Sequence, residues 1–300
     1  MPLKDLEADP FCEFLVSRTL RGHRALFSAR HVTRLRLGTA REDSSMITSM
    51  PRIAIAVSDF EQAMTTFKNQ MGMHVVDFSP ETVPSLGAHV GMCQPVGGSN
   101  IELMAPSNPN EPLSQALQKF LDRRGEGIYA MMLESPDPNA EAETLLRRGI
   151  KVLPLMRGAG GRDIHPSSTH GVLIRIYPDD SVAQPENPSS ASPHYTGIQR
   201  VVVATRDASL AGDVYTQGLG LASDPPQMDT DNGIISCIVR PPKGGLIELV
   251  SPIDVSKQPA QELESFLGSK GEGIMALHLS TSEGAPQRDF KMFGTSFSIS

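Results

Sequence analysis

Cysteine is scarce in this sequence, and its scarcity excludes two kinds of small-protein architecture. The three cysteines are Cys12, Cys93 and Cys237. Their number is odd and none lies at a spacing typical of a zinc site, so neither a disulfide framework nor a cysteine metal centre is indicated. The sequence therefore predicts reduced thiols in an intracellular protein, most simply a cytoplasmic one.

Long apolar runs and excess positive charge are also missing. No apolar run approaches the ~20 residues that a membrane-spanning helix needs, so we expect no membrane segment. The formal net charge is −7 at pH 7, which argues against a general nucleic-acid-binding protein. With 39% hydrophobic residues among 300, the chain is long enough for about two globular domains.

Acidic residues are absent from one stretch, 14–41, which carries seven arginines. An arginine-rich, acid-poor segment is typical of organellar transit peptides, so a mitochondrial location is the alternative prediction. The four acidic residues among the first thirteen do not fit that pattern. We expect residues 1–49 to form a basic, disordered N-terminal extension.

An internal repeat organises the rest of the chain. The segment IELMAP at 101–106 returns as IELVSP at 247–252. The segment FLDRRGEGI at 120–128 returns as FLGSKGEGI at 266–274. Both pairs are offset by 146 residues, and a constant offset over this length indicates a tandem duplication.

The two copies are separated by residues 178–197, whose four prolines and several serines predict a linker. The expected modules are 50–177 and 198–300. The second copy has fewer residues after its repeat, so we expect a truncated module in which counterparts of Lys151–Leu155 and Val172–Tyr177 cannot both exist. An unpaired sheet edge of this kind would promote self-association.

The first module has the residue pattern of a βαβββ unit followed by a second, similar unit. Strands are expected at 51–57, around Val75 and Val90, and at Ile101–Met104. A helix capped by Ser58 should follow the first strand. The later expected elements are a helix ending at Gly125, a strand at Ile128–Leu133, a helix at Ala140–Arg148, and strands at Lys151–Leu155 and Val172–Tyr177.

The segments IELMAP, FLDRRGEGI and GAGGRDIHPSSTHGVLIRI (158–176) resemble those of the vicinal oxygen chelate superfamily. This superfamily includes glyoxalases, epimerases, ring-cleaving dioxygenases and antibiotic-binding proteins. Within it, the segments are similar to those of methylmalonyl-CoA epimerases. The resemblance implies an α+β fold in which tandem βαβββ units form curled, antiparallel-rich, cup-shaped sheets around a ligand.

The resemblance also implies four metal ligands per cup, typically histidine, glutamate or glutamine, histidine and glutamate. In the first copy these positions fall on Arg52, Glu102, Ala130 and Arg175. An arginine offers a metal no lone pair, so only Glu102 fits. The carboxylate base of the epimerases would fall on Val90, which cannot accept a proton.

The second copy repeats this pattern. Its first three positions fall on Arg200, Glu248 and Ala276, and the fourth would lie beyond Ser300. The base position falls on Ser236. We therefore expect no metal and no other cofactor in either cup.

Two interpretations of the arginines remain open. Arg52 and Arg175 outweigh Glu102 by one positive charge, which favours a pocket for a small acidic molecule. Alternatively, an Arg52–Glu102 ion pair merely replaces the metal as a link between strands. Arg200 and Glu248 allow the same two interpretations in the second cup.

The sequence thus favours a metal-independent protein that binds a small acidic molecule. A metal-dependent isomerase, epimerase, lyase or dioxygenase of the same superfamily is the first alternative. A non-catalytic partner subunit is the second.

Overall fold

The computed structural model describes residues 46–79, 87–94, 100–156, 160–181, 195–281 and 288–299. The arginine-rich segment lies outside the described residues, as do residues 182–194 of the expected linker. Within the described ranges, no helix is long and apolar enough to cross a membrane. The cytoplasmic and mitochondrial locations stay predictions.

The first copy forms one mixed sheet of seven strands. The strands are β1 (Ser49–Ala56), β2 (His74–Asp77), β3 (Ala88–Gln94), β4 (Asn100–Pro106), β5 (Gly127–Ser135), β6 (Arg162–Ile164) and β7 (Leu173–Pro178). The helices are α1 (Phe60–Asn69), α2 (Pro112–Arg124) and α3 (Pro138–Arg147). The strand order is β2-β3-β4-β1-β5-β7-β6, so β1 and β5 join the two halves at the centre.

The second copy forms an eight-stranded sheet of the same design. Its strands are β8 (Tyr195–Ala204), β9 (Ala222–Ser223), β10 (Gln227–Asp229), β11 (Ile234–Arg240), β12 (Leu246–Pro252), β13 (Gly273–Thr281), β14 (Arg288–Met292) and β15 (Thr295–Ile299). Its helices are α4 (Ala208–Asp213), which continues as a π-helix over Val214–Gly218, and α5 (Gln258–Lys270).

The strand order of the second sheet is β10-β11-β12-β8-β13-β15-β14, with β9 paired to β11. Position by position this repeats the order of the first sheet. The predicted α+β class and the tandem arrangement of similar units are therefore confirmed. The exact module boundaries stay predictions, and β8 already begins at Tyr195, inside the stretch expected to be a linker.

The expectation that the second copy lacks its last strands is wrong. β15 pairs parallel to β13 and β14 pairs antiparallel to β15, as β7 pairs with β5 and β6 with β7. Only residues 282–287 separate β13 from β14, too few for a counterpart of the ten-residue α3. The second copy is shorter because this connection is short, and it lacks none of the strands discussed here. β15 is therefore paired on both sides and is not an unpaired edge.

Two local predictions also need correction. The stretch Lys151–Leu155 contributes only a single bridge, from Val152 to Ile164, and β6 is the strand that pairs with β7. Helix α1 is capped by Asp59, whose carboxylate accepts from the Gln62 backbone N–H at 2.9 Å. Ser58 instead donates its backbone N–H to the Glu126 carboxylate at 2.8 Å.

The two copies share one apolar core, because the first helix of each copy packs on its own sheet and also contacts the other copy. On α1, Phe67 stacks on Phe293 and meets Phe297 edge-on, at ring distances of 6.1 and 6.2 Å. In the second copy, the hydroxyl of the fully buried Tyr215 donates to the Thr169 carbonyl at 3.4 Å. Each sheet therefore buries one face between the copies and turns the other face away.

Two glycine turns lock this arrangement. Gly171 (φ 77°) and Gly294 (φ 63°) lie in the turns before β7 and β15. A Cβ on Gly171 would collide with the backbone of Glu272, and a Cβ on Gly294 would collide with that of Glu126. These two glutamates belong to the repeated Gly-Glu-Gly segment. The repeat therefore marks a backbone contact that both copies make reciprocally.

Candidate ligand-binding cups

The face of each sheet turned away from the shared core is here called its cup. In the first cup, Arg52 and Ala54 lie on β1, Glu102 on β4, Ala130 on β5 and Arg175 on β7. Ala54 pairs with both Glu102 and Ala130 across the neighbouring strands. The four positions implied by the resemblance therefore share one face around the centre of the sheet.

Arg52 is held on three sides in the first cup. Its Nε donates to Glu102 Oε2 at 2.6 Å and its Nη1 donates to Ser181 Oγ at 3.0 Å. Its guanidinium lies 4.4 Å from the centre of the Tyr177 ring. Burial lowers the pKa of Arg52, but Glu102 and Tyr177 outweigh that effect and raise it above the usual value. The expected Arg52–Glu102 ion pair is thus present.

Arg175 has a carboxylate partner that the sequence analysis missed. Its Nε and Nη2 donate to the two oxygens of Asp163 at 2.5 and 2.6 Å, a bidentate pair. Asp163 is the direct neighbour of Arg175 across β6 and β7. Burial lowers the pKa of Arg175, and the bonds to Asp163 more than offset that effect. Asp163 lies on β6, which has only three residues. Such a short strand shows no alternating pattern from which the position of Asp163 could be predicted.

The first cup is therefore filled and carries no excess positive charge. Two guanidiniums face two carboxylates, and the four side chains are each at most 10% exposed. Glu134 adds a further buried carboxylate, which accepts from the Ser181 backbone N–H and hydroxyl at 2.8 and 2.7 Å. The excess positive charge that motivated the anion-pocket hypothesis for Arg52 and Arg175 is absent among these groups.

The metal positions of the first cup do not fit a metal ion. Arg52 and Arg175 are donors only, Ala130 has no ligand atom, and Glu102 is engaged by Arg52. Within the described residues of both copies, no cluster of three or more histidine, cysteine, aspartate or glutamate side chains could hold one. No chemistry at these positions is therefore assigned to a metal.

Strand pairing identifies the counterparts in the second cup. Arg52 pairs with Met132, Met132 with Arg175, and Arg175 with Asp163. In the second sheet the same row reads Arg200, His278, Ser298 and Asp289. Ser298 thus occupies the fourth position, which was wrongly expected beyond the end of the chain. The expectation failed because the shortened connection before β14 breaks the constant offset.

Arg200 is only partly satisfied in the second cup. Its Nη1 donates to Glu248 Oε2 at 2.8 Å, which is the counterpart of the Arg52–Glu102 pair. Its Nε is buried and has no hydrogen-bond partner among the described residues. The arginine side chain is 33% exposed and the glutamate 14%, against 6% and 7% for Arg52 and Glu102. The Arg200 side chain is therefore partly exposed, while its buried Nε is left without a partner among the described residues.

The floor of the second cup is accessible along its length. Val202, Glu248, Ala276, His278 and Ser298 are all partly exposed, and Asp289 is exposed. Burial lowers the pKa of His278, and the nearby Arg200 lowers it further, against the opposing effects of Glu248 and Asp289. Both effects favour the neutral imidazole, in which one nitrogen donates and the other accepts.

A cavity of about 720 Å³ lies outside both cups. It is bordered by the end of α3, the turn before β7 and the π-helix, where Arg148 donates to the Gly218 carbonyl at 3.2 Å. None of the predicted site residues lines it. His170 and Glu272 meet at its edge, with 3.2 Å between Nδ1 and Oε1. We assign it no ligand.

Comparisons with known proteins identify the family. Residues 52–165 match the glyoxalase/bleomycin resistance protein/dioxygenase superfamily. The mitochondrial methylmalonyl-CoA epimerase of Homo sapiens is 30% identical over 129 residues, which are 41% of this chain and 70% of that protein. The chain belongs to the glyoxalase/bleomycin resistance protein/dioxygenase superfamily. The expectation from the repeated segments is thereby confirmed.

Two further members of the superfamily show how far the likeness extends. The ethylmalonyl-CoA/methylmalonyl-CoA epimerase of Cereibacter sphaeroides is 29% identical over 138 residues, 44% of this chain and 98% of that protein. A mutant 4-hydroxymandelate synthase from Streptomyces coelicolor covers 79% of this chain and 72% of its own, with a TM-score of 0.61 and 14% identity. At that identity the likeness shows the fold alone.

Proposed function

We propose that this member of the superfamily binds a small acidic molecule without a metal, and that the second cup holds the ligand. The observation that carries the proposal is the unpaired Nε of Arg200. Its Nε has no partner among the described residues, in a side chain that is one-third exposed. A buried, unpaired donor on a cation is costly, and a carboxylate would satisfy it.

The geometry of Arg200 suits a carboxylate. Glu248 engages only Nη1, so Nε and Nη2 remain as a two-pronged edge of the kind that carboxylates accept from. Hydrogen bonds to charged groups are worth about 1.5–3 kcal/mol each. The residues of the first cup, Arg52, Glu102 and Arg175, instead have their partners within the chain, and we propose that they stabilise the sheet.

The named relatives are consistent with an acidic ligand. They are called methylmalonyl-CoA epimerases, and the methylmalonyl group carries a free carboxylate. Their similarity covers less than half of this chain, so the substrate itself is not transferred to this chain. What supports an acidic ligand here is the arginine of the second cup.

Binding of butyrate and of uncharged butyramide, followed by NMR, tests the proposal. We expect the full chain to bind butyrate and not butyramide, and Arg200→Met to weaken butyrate binding at least tenfold, since one charge-assisted bond is worth that much. Arg240→Met is the matched control, because Arg240 forms an exposed pair with Asp224 elsewhere in the second copy. It should bind like the parent.

Two outcomes would contradict the proposal. Equal binding of both probes, or butyrate binding that survives Arg200→Met, would remove Arg200 as the anchor. About one divalent ion per copy in the purified protein, lost on Glu102→Ala or Glu248→Ala, would favour the metal-dependent alternative. Elemental analysis of the same samples gives that answer.

A further inference from the structure

The second cup carries a row of four polar side chains on four adjacent strands. Arg200 on β8 pairs with His278 on β13, His278 with Ser298 on β15, and Ser298 with Asp289 on β14. Residues directly opposite one another on neighbouring strands point to the same face of a sheet. The four side chains therefore line the same side of the second cup.

The first cup has no such continuous row. Its counterparts are Arg52, Met132, Arg175 and Asp163. Met132 interrupts the row with a thioether, and Arg175 and Asp163 close on each other. In the second cup, His278 replaces the methionine and Ser298 replaces the arginine, which also leaves Asp289 without an arginine on the neighbouring strand.

The spacing of the row sets the distance between the polar groups of a ligand. Neighbouring strands lie about 4.8 Å apart, so His278 is one strand away from Arg200 and Ser298 is two. A ligand whose carboxylate meets Arg200 would place its next few atoms against His278. The side chains of both His278 and Ser298 can donate and accept hydrogen bonds, as a hydroxyl group does.

We infer that the ligand of the second cup is a hydroxycarboxylate, with its carboxylate on Arg200 and its hydroxyl on His278 and Ser298. This inference rests on the proposed function, since it takes Arg200 as the anchor. It adds the specificity-determining residue His278 and the chemical class of the ligand. The partly exposed apolar side chains Val202 and Met275 pack against the buried cluster of Val250, Leu263 and Leu267 and would contact the carbon chain.

Matched pairs of acids test the inference. Lactate and propionate, 3-hydroxybutyrate and butyrate, and malate and succinate each differ by one hydroxyl. In NMR titrations of the full chain, we expect the hydroxylated member of at least one pair to bind about five- to tenfold more tightly, the worth of one or two neutral hydrogen bonds.

Three variants assign that preference. His278→Met, which gives the second cup the residue of the first, should abolish the preference for the hydroxylated member of the pair. Ser298→Ala should reduce the preference and is a smaller change if the first variant folds poorly. Met132→Leu in the first cup is the control and should bind like the parent.

The outcomes distinguish a failure of the hydroxycarboxylate inference from a failure of the proposed function. If no acid of any pair binds, the proposed function fails and the inference fails with it. If both members of every pair bind equally and Arg200→Met removes both, acid binding stands and the hydroxycarboxylate inference is overturned. A preference that persists in both His278→Met and Ser298→Ala also overturns it.

Discussion

The two cups are built on the same strand order and differ in what covers them. Three residues that contact Arg52 or Arg175 close over the first cup: Met156 in the connection between α3 and β6, Tyr177 on β7, and Ser181 just after β7. In the second copy, residues 282–287 join β13 to β14 and are too few to supply a counterpart of the segment that carries Met156. A copy can thus keep every strand of its sheet and still expose the floor of its cup.

The two cups also show that equivalent arginine–glutamate pairs can have different roles. Arg52–Glu102 and Arg200–Glu248 occupy equivalent positions. The first pair is surrounded by Ser181 and Tyr177, and it links β1 to β4 inside a filled cup. The second leaves a donor free and is partly exposed. The same two residue types serve as a structural link where they are covered and as a candidate anchor where they are not.

The largest expected difference lies in the cost of breaking each pair. Glu102→Ala should lower the free energy of unfolding by about 3–5 kcal/mol, because it leaves the buried Arg52 guanidinium without its carboxylate. Glu248→Ala should cost roughly 1 kcal/mol or less, since Arg200 is one-third exposed and exposed pairs contribute little. Urea denaturation of both variants makes the comparison.

A double substitution serves as the control. Arg52→Met with Glu102→Leu removes both charges and should recover most of the stability lost in Glu102→Ala, as apolar replacements of buried pairs do. Equal losses in the Glu102 and Glu248 variants would mean that the two cups do not differ in the way the burial indicates.

Exchanging one residue between the cups should again destabilise the first cup more than the second, with a smaller change in the free energy of unfolding than the loss of the ion pairs causes. Met132→His places an imidazole at a position that is 3% exposed. In the first cup this imidazole would have neither a serine partner equivalent to Ser298 nor contact with solvent. It should cost about 1–3 kcal/mol, the penalty of a buried polar group without partners. The reverse change, His278→Met, should alter stability by under about 1 kcal/mol. Thermal unfolding of both variants would refute the distinction if the two shifts were alike.

The smallest expected effect is the titration of His278. Its pKa should lie below 6.5, first because of burial and then because of Arg200. The folded state then binds fewer protons than the unfolded state just below pH 6.5, so the contribution of His278 to stability falls as the pH drops through this range. NMR of the imidazole ring gives the midpoint, and Arg200→Met should raise it. A midpoint at or above 6.5 in the parent protein would contradict this assignment.

The sequence was sufficient for the fold wherever local patterns repeat. The 146-residue offset predicted two copies of one design, and the apolar periodicity predicted α2 and its end at Gly125, which the structure confirms. Lys151–Leu155 was harder, because only the bridge at Val152 is made there. Whether a segment pairs at the edge of a sheet depends on the neighbouring strand, so it cannot be predicted from the residues of the segment alone.

The site was predictable only where the copies stay in register. Arg52 and Glu102 follow from the family resemblance, and Arg200 and Glu248 follow from them at offsets of 148 and 146 residues. Ser298 and Asp289 do not, because the loss of one helical connection changes the offset, and only the paired turns at Gly171 and Gly294 restore the correspondence. In the sequence, His278 is an isolated histidine. Its neighbours Arg200 and Ser298 are distant in sequence, so nothing local distinguished it.

The reciprocal turns at Gly171 and Gly294 have an evolutionary consequence. Each turn fits only against the Gly-Glu-Gly backbone of the other copy, and Phe67 and Tyr215 likewise find their partners across the boundary. A gene that lost either half would expose the surfaces of the half that remained. Once the duplicated copies had become complementary to each other in this way, loss of either copy would be disfavoured. We therefore expect both copies to be retained together, which leaves one cup free to diverge while the other stabilises the fold.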